Sequence, residues 1–185
     1  MTLEALEEEI RACTNCPLCR TRKNAVPGTG NPHATLMLIG EAPGRQEDER
    51  GEPFVGRAGR LLSEILAEIG IGRDEVYITN VVKCRPPGNR TPRASEVRAC
   101  MPYLRRQISL IGPRIMVLLG MVPAKTVLGM YGIRFTSMGE MVGKVFHVDD
   151  VILVPCYHPA AALYNPRLVD RIRETLRKVG ELYQK

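Results

Sequence analysis

Apolar positions along this chain follow two patterns. Four short stretches are apolar almost without interruption: TLMLIG (35–40), EVYITNVV (75–82), RIMVLLG (114–120) and VILVPC (151–156). Between them the apolar residues recur at three- and four-residue spacing. Leu3, Leu6 and Ile10 form one such stripe and run on to Cys13. Leu61, Leu62, Ile65, Leu66 and Ile69 form a second within 57–70. Val97, Met101, Leu104, Ile108 and Ile111 form a third within 93–111, with Cys100 on the same face. Leu168, Ile172, Leu176 and Val179 form the last within 166–183. The first pattern predicts strands buried on both faces and the second predicts amphipathic helices. MVPAKTVLGMYG (121–132) reads as a short helix and 133–148 as a small hairpin or loop. Residues 20–34 and the charged, glycine-rich 45–55 read as loops. KCRPPGNRTP (83–92), with three prolines and a glycine, cannot be regular structure. Strands alternating with helices predict one α/β domain over residues 1–185, with a parallel sheet covered on both faces.

In such sheets ligands bind beyond the carboxyl ends of the strands. The unusual residues gather there. Gly40-Glu41-Ala42-Pro43-Gly44 follows the first strand, Asn80 closes the second, and Tyr157-His158-Pro159 follows the fourth. A glycine-rich turn after a strand suggests a phosphate cradle, but Pro43 removes one backbone N–H and Glu41 would repel an anion. Asn80 interrupts an apolar strand, where a buried amide needs a partner. Phe54, in a glycine-flanked loop, offers either a core plug or a flat surface for a planar ligand.

Composition adds two things. Lys and Arg exceed Asp and Glu by 26 − 20 = 6, which suits an anionic partner such as nucleic acid. There are also six cysteines. No apolar run approaches the ~18 residues of a membrane span. The acidic, helical first residues are unlike a signal peptide, so a cytoplasmic protein is expected. Outside a secreted context, clustered cysteines point to metal or redox chemistry. Cys13 and Cys16 form a CxxC that Cys19 extends, and Cys84 and Cys100 lie far downstream. One tight pair plus two dispersed thiols fits an iron–sulfur cluster at least as well as zinc, and the spacing does not decide between them. Cys156, ending an apolar strand, is expected to pack as a small hydrophobe.

Taken together, GEAPG (40–44), GEPFVGRAGRLL (51–62), YITNVVKCRPPGNRTP (77–92) and HPAA (158–161) resemble the family 4, iron–sulfur uracil-DNA glycosylases, and the match runs in order over nearly the whole chain. The resemblance implies a three-layer α/β/α sandwich around a four-stranded parallel sheet. It also implies hydrolysis of the N-glycosidic bond of deoxyuridine in DNA, and a structural [4Fe-4S] cluster on Cys13, Cys16, Cys84 and Cys100. The expected partner is uracil-containing DNA, single- or double-stranded, and a monomer is expected. In this reading the uracil pocket comprises Glu41, Ala42, Pro43, Phe54, Asn80 and His158. Phe54 stacks on the flipped base, Asn80 reads its polar edge, and His158 stabilises charge on the leaving group. Better-known uracil glycosylases carry an aspartate where this chain has Ala42, so Glu41, Glu47 and Asn89 are the candidates to position water or the sugar. Lys83, Arg85, Arg90 and Arg93 are expected to contact DNA phosphates, and Leu163 to wedge into the duplex.

Overall fold

The computed structural model describes residues 1–185. In chain order the elements are α1 (Leu3–Arg11), β1 (Thr29–Gly30), β2 (Leu36–Gly40), α2 (Arg45–Arg50), α3 (Arg57–Glu68), β3 (Tyr77–Asn80), α4 (Ala94–Ile111), β4 (Ile115–Leu119), α5 (Met121–Met130), α6 (Met138–Met141), β5 (Phe146–Val148), β6 (Val151–Cys156), α7 (Pro159–Ala162) and α8 (Pro166–Gln184). The four apolar runs become β2, β3, β4 and β6, which pair in parallel in the order β3-β2-β4-β6. Both faces of these strands are covered, which is why they read as continuous rather than alternating runs. Met37 and Ile39 of β2 pack into one core with Leu6, Leu104 and Val127. Leu36 and Leu38 of the same strand pack into the other with Leu62, Leu66, Ile172 and Leu176. Helices α1, α4 and α5 thus cover one face, and α3 and α8 the other.

The sheet has six strands, not four. β1 adds antiparallel to β3 at one edge, and β5 adds antiparallel to β6 at the other. With two and three residues, these edge strands are too short to carry a periodic signal. The segment 133–148, expected as a small hairpin or loop, is mostly loop with the short helix α6, and only at its end does β5 turn back onto β6. Residues 45–50, expected as loop, form α2. This helix is polar all round, so its sequence shows no stripe. It is held by Asp48, whose Oδ1 accepts the backbone N–H of Lys23 (2.8 Å) and Asn24 (3.2 Å).

Strand order fixes where a ligand can go. The chain passes from β2 to β3 on one side, then crosses back over β2 to β4. The sheet therefore opens a crevice at the carboxyl ends of β2 and β4, where the connections diverge.

Candidate active site

A cavity of about 490 Å³ fills that crevice, within the size range of small-molecule sites. All four parallel strands contribute to it: Glu41–Gly44 beyond β2, Asn80 at the end of β3, Leu119 at the end of β4 with Gly120 and Met121 after it, and Tyr157 and His158 beyond β6. Glu47 and Phe54 line it as well, as do Asn89 and Arg90 of the proline-rich loop. Of the residues expected in a base pocket, Glu41, Ala42, Pro43, Phe54, Asn80 and His158 all come together here.

Three features make the wall specific. First, Asn80 is 2% exposed, and its Oδ1 is the one buried side-chain nitrogen or oxygen without a hydrogen-bond partner. An unsatisfied buried acceptor costs about 1–3 kcal/mol, so it marks a place where a ligand donor belongs. Gly40 opposite it is obligatory. A Cβ there would lie 2.4 Å from Asn80 Oδ1 and 2.6 Å from Phe54 Cζ.

Second, Phe54 sits at φ 52°, a left-handed conformation unusual for a non-glycine residue. Two groups hold it there. Arg73, half-buried and not identified from the sequence, donates Nη1 to the Phe54 carbonyl (2.5 Å) and Nη2 to the Pro53 carbonyl (2.6 Å). Gly59 lets the Phe54 carbonyl approach helix α3 so closely that a Cβ would stand 1.8 Å from it.

Third, the His158 and Phe54 rings lie 5.4 Å apart, 24° from parallel. A planar ring held between them at van der Waals contact would need about 7 Å, so the gap between the two rings is too narrow to hold one. His158 Nδ1 accepts the N–H of Ala160 at 3.0 Å. In the neutral imidazole the proton is then on Nε2, which is left to donate. Burial pushes the His158 pKa down to about 4, against the opposing pull of Glu47.

The candidate carboxylates differ in what surrounds them. Burial alone raises the Glu41 pKa, with no opposite charge or hydrogen bond offsetting it. Glu47 is tied up as a brace: Oε1 accepts the N–H of Gly44 (3.1 Å), and Oε2 accepts those of Val55 (3.0 Å) and Gly56 (2.9 Å). It thereby joins the GEAPG turn to the Phe54 loop. Asn89 stands at φ 57°, and its Oδ1 accepts Arg85 Nε at 2.7 Å.

The basic loop divides. Arg85, Arg90 and Arg93 keep some exposure, but both Arg90 terminal nitrogens bind Glu96 at 2.8 Å. The expectation for Lys83 is corrected. It is 1% exposed, and its ammonium donates inward to Thr79 Oγ1, the Asn80 carbonyl and Gln107 Oε1, so it reaches no DNA phosphate. The chain turns into the core immediately after β3 and reaches the surface only from Arg85 on. Leu163 is half-buried, whereas its neighbour Tyr164 is 83% exposed, with the Arg57 guanidinium 5.8 Å from its ring centre. Nothing in the periodicity singles out Tyr164, because exposure at a helix end leaves no sequence pattern.

On the α1–α4 face, a second, smaller cavity is lined by Cys13, Cys16, Cys19, Cys84 and Cys100 together with Arg22 and Lys83. All these thiols are free. They do not form a compact group fit for a single metal ion. Three sulfurs already accept hydrogen bonds: Cys13 from Asn15 N (3.4 Å), Cys84 from Arg22 Nη1 (3.2 Å), and Cys100 from Lys83 N (3.3 Å). Donors aimed at sulfur suit thiolates, and an iron–sulfur cluster spreads its thiolates more widely than one zinc ion does. The donor set therefore fits such a cluster. Cys156 lies apart, fully buried in the α3–α8 core.

The chain is similar over most of its length to known proteins. The family model described as the uracil DNA glycosylase superfamily matches residues 27–180. A type-4 uracil-DNA glycosylase of Sulfurisphaera tokodaii is 48% identical over 98% of this chain and 84% of its own length. One of Archaeoglobus fulgidus is 46% identical over 98% of this chain and 93% of its own. A type-5 uracil-DNA glycosylase of Pyrobaculum aerophilum is more distant, at 34% over 84% of this chain and 75% of its own.

Proposed function

The chain belongs to the type-4 family of the uracil-DNA glycosylase superfamily, and on that premise we propose how its cavity excises uracil from DNA. The observation that carries the reading is the orphaned Oδ1 of Asn80. Uracil presents an N3–H donor beside its O4 acceptor, and a fixed amide meets both: Oδ1 accepts from N3–H and Nδ2 donates to O4. Cytosine presents an acceptor and a donor in the reverse order, and would leave both amide groups opposed.

The deoxyuridine leaves the base stack at a cost of a few kcal/mol. Contact with Phe54 returns roughly 1–3 kcal/mol. The C1′–N1 bond then breaks with its electron pair going to uracil, and a water oxygen bonds to C1′. One water proton stays on the new hydroxyl and the other neutralises the departing uracil. His158 Nε2–H donates to uracil O2 as negative charge builds there. A neutral imidazole suits this role, since it need not lose a proton to the product. Glu41, close to the sugar and without a partner, steadies the cation-like sugar and orients the water. Glu47 holds the two loops that shape the cavity, and Asn89 sits at its rim.

Arg90, which lines the cavity, and its loop neighbours Arg85 and Arg93 meet DNA phosphates, with Arg90 pre-set by Glu96. Leu163, or the more exposed Tyr164 beside it, fills the space left by the flipped base. Cys13, Cys16, Cys84 and Cys100 would hold a [4Fe-4S] cluster, whose contribution when bound is to brace the loop from Lys83 to Arg93.

The test is an oligonucleotide with one uracil, incubated with the protein and then treated with alkali to cleave abasic sites. A break at uracil, with thymine and cytosine controls intact, is expected. No break would end the glycosylase reading. An absorption band near 400 nm is expected of the purified protein, and a colourless zinc protein would end the cluster assignment.

A further inference from the structure

Directly behind Asn80 lies a buried cation that the reaction does not use. An ammonium has three N–H donors, and those of Lys83 are all engaged: Thr79 Oγ1 at 2.7 Å, the Asn80 carbonyl at 2.6 Å, and Gln107 Oε1 at 2.6 Å. Two of these partners extend the network to the carbonyl of Pro27, to which Thr79 Oγ1 donates at 2.6 Å and Gln107 Nε2 at 2.8 Å. The main chain of the same lysine faces the cysteine cavity. Its N–H donates to Cys100 Sγ, and the next residue is Cys84.

Burying an ammonium is costly even with full hydrogen bonding, and none of the protein's ion pairs supplies Lys83 with a carboxylate. An aliphatic residue in its place would spare the cost of the buried charge but leave Gln107 Oε1 without a donor. What the ammonium adds is a fixed point shared by three segments: the last residues of β3, helix α4 through Gln107, and the 24–30 loop through Pro27.

We infer that Lys83 is a positioning residue for base recognition, whose three hydrogen bonds lock the Asn80 peptide, and so its amide, to the framework that carries the cysteine site. The inference rests on the reading of Asn80 as the uracil-contacting amide. Recognition of this kind depends on placement to a fraction of an ångström, and a shift of about 1 Å can cost a hundredfold. Thr79 shares the role through its hydroxyl, which links Lys83 to Pro27.

The experiment compares holoprotein variants by inhibition with free uracil and by affinity for abasic-site DNA, with iron content and unfolding temperature measured alongside. Lys83→Met keeps the side-chain length and removes the donors. It is expected to weaken uracil inhibition about tenfold while abasic-site binding stays within about twofold of the parent. Thr79→Val, a milder change, is expected to move uracil inhibition about threefold in the same direction. A purely structural role would lower the unfolding temperature and leave uracil inhibition where it was, and that result overturns the inference. If Lys83→Met does not fold, Thr79→Val decides alone: weakened inhibition supports the inference, and unchanged inhibition overturns it. Asn80→Ala separates the two levels. Uracil inhibition that survives in Asn80→Ala removes the recognition reading itself. Inhibition lost in Asn80→Ala but intact in Lys83→Met and Thr79→Val removes only the role given to Lys83.

Discussion

The active-site cavity and the cysteine cavity are built in opposite ways. The larger one is assembled from the ends of four strands in one sheet, and its decisive groups are left incomplete: an amide oxygen with no donor, a carboxylate with no partner, and an imidazole with one nitrogen committed and the other open. The cysteine cavity is assembled from loop and helix segments as far apart as Cys13 and Cys100, and its sulfurs already receive hydrogen bonds from the protein. Incomplete groups on a rigid frame await a substrate that comes and goes. Thiols gathered from distant segments and supplied with donors suit a group that stays. The proposed function divides chemistry and bracing between these two places, with Lys83 lying between them.

That division can be broken experimentally. The largest effect is expected from Cys84→Ala: loss of iron together with more than about 4 kcal/mol of stability, read from denaturant unfolding and metal content. If iron and stability are kept, the cysteine cavity is not a structural centre. His158→Ala should do the reverse. Removing a donor to the developing charge should lower kcat by about a hundred- to a thousandfold, while iron content and the unfolding curve stay as in the parent. An activity loss matched by equal unfolding would erase the contrast.

Arg73→Leu tests the frame itself. Without its bonds to the Phe54 and Pro53 carbonyls, the strained Phe54 loop should relax. That should cost about 1.5–3 kcal/mol and roughly tenfold in kcat/KM, with iron unaffected.

The smallest effect is a displacement along the pH axis. Glu41 is useful as the carboxylate, and burial raises its pKa, so activity should fall as pH falls through a value above the ordinary carboxylate range. In Glu41→Gln, which is slower throughout, that limb should vanish. The remaining acid limb should lie at about 4, where His158 takes up a proton. Protonated Nδ1 would then face the Ala160 N–H it now accepts from, so this limb too loses activity towards acid. An acid limb unmoved in Glu41→Gln would take Glu41 out of the reaction.

The sequence showed much of the frame and less of what braces it. Continuous apolar runs as short as Leu36–Ile39 and Ile115–Leu119 read as strands covered on both faces, and the strand-end rule then places Glu41, Asn80 and His158 together. β1 and β5 were invisible because strands of two or three residues have no period. α2 was missed because RQEDER presents no apolar face, being held by the buried Asp48. Lys83 was misread for a different reason. A lysine close to Arg85 and two prolines looks like surface, and neither charge nor composition reveals that the chain stays buried from Val81 to Cys84. Arg73 left no trace at all, since its contacts are to backbone carbonyls nineteen and twenty residues away.

The most direct test is a crystal structure of the protein with free uracil. The account predicts the base lying against Phe54, with its N3–H within hydrogen-bonding distance of Asn80 Oδ1 and its O2 facing His158 Nε2. Uracil bound elsewhere, or seated in the cavity with Asn80 Oδ1 still without a donor, would contradict it.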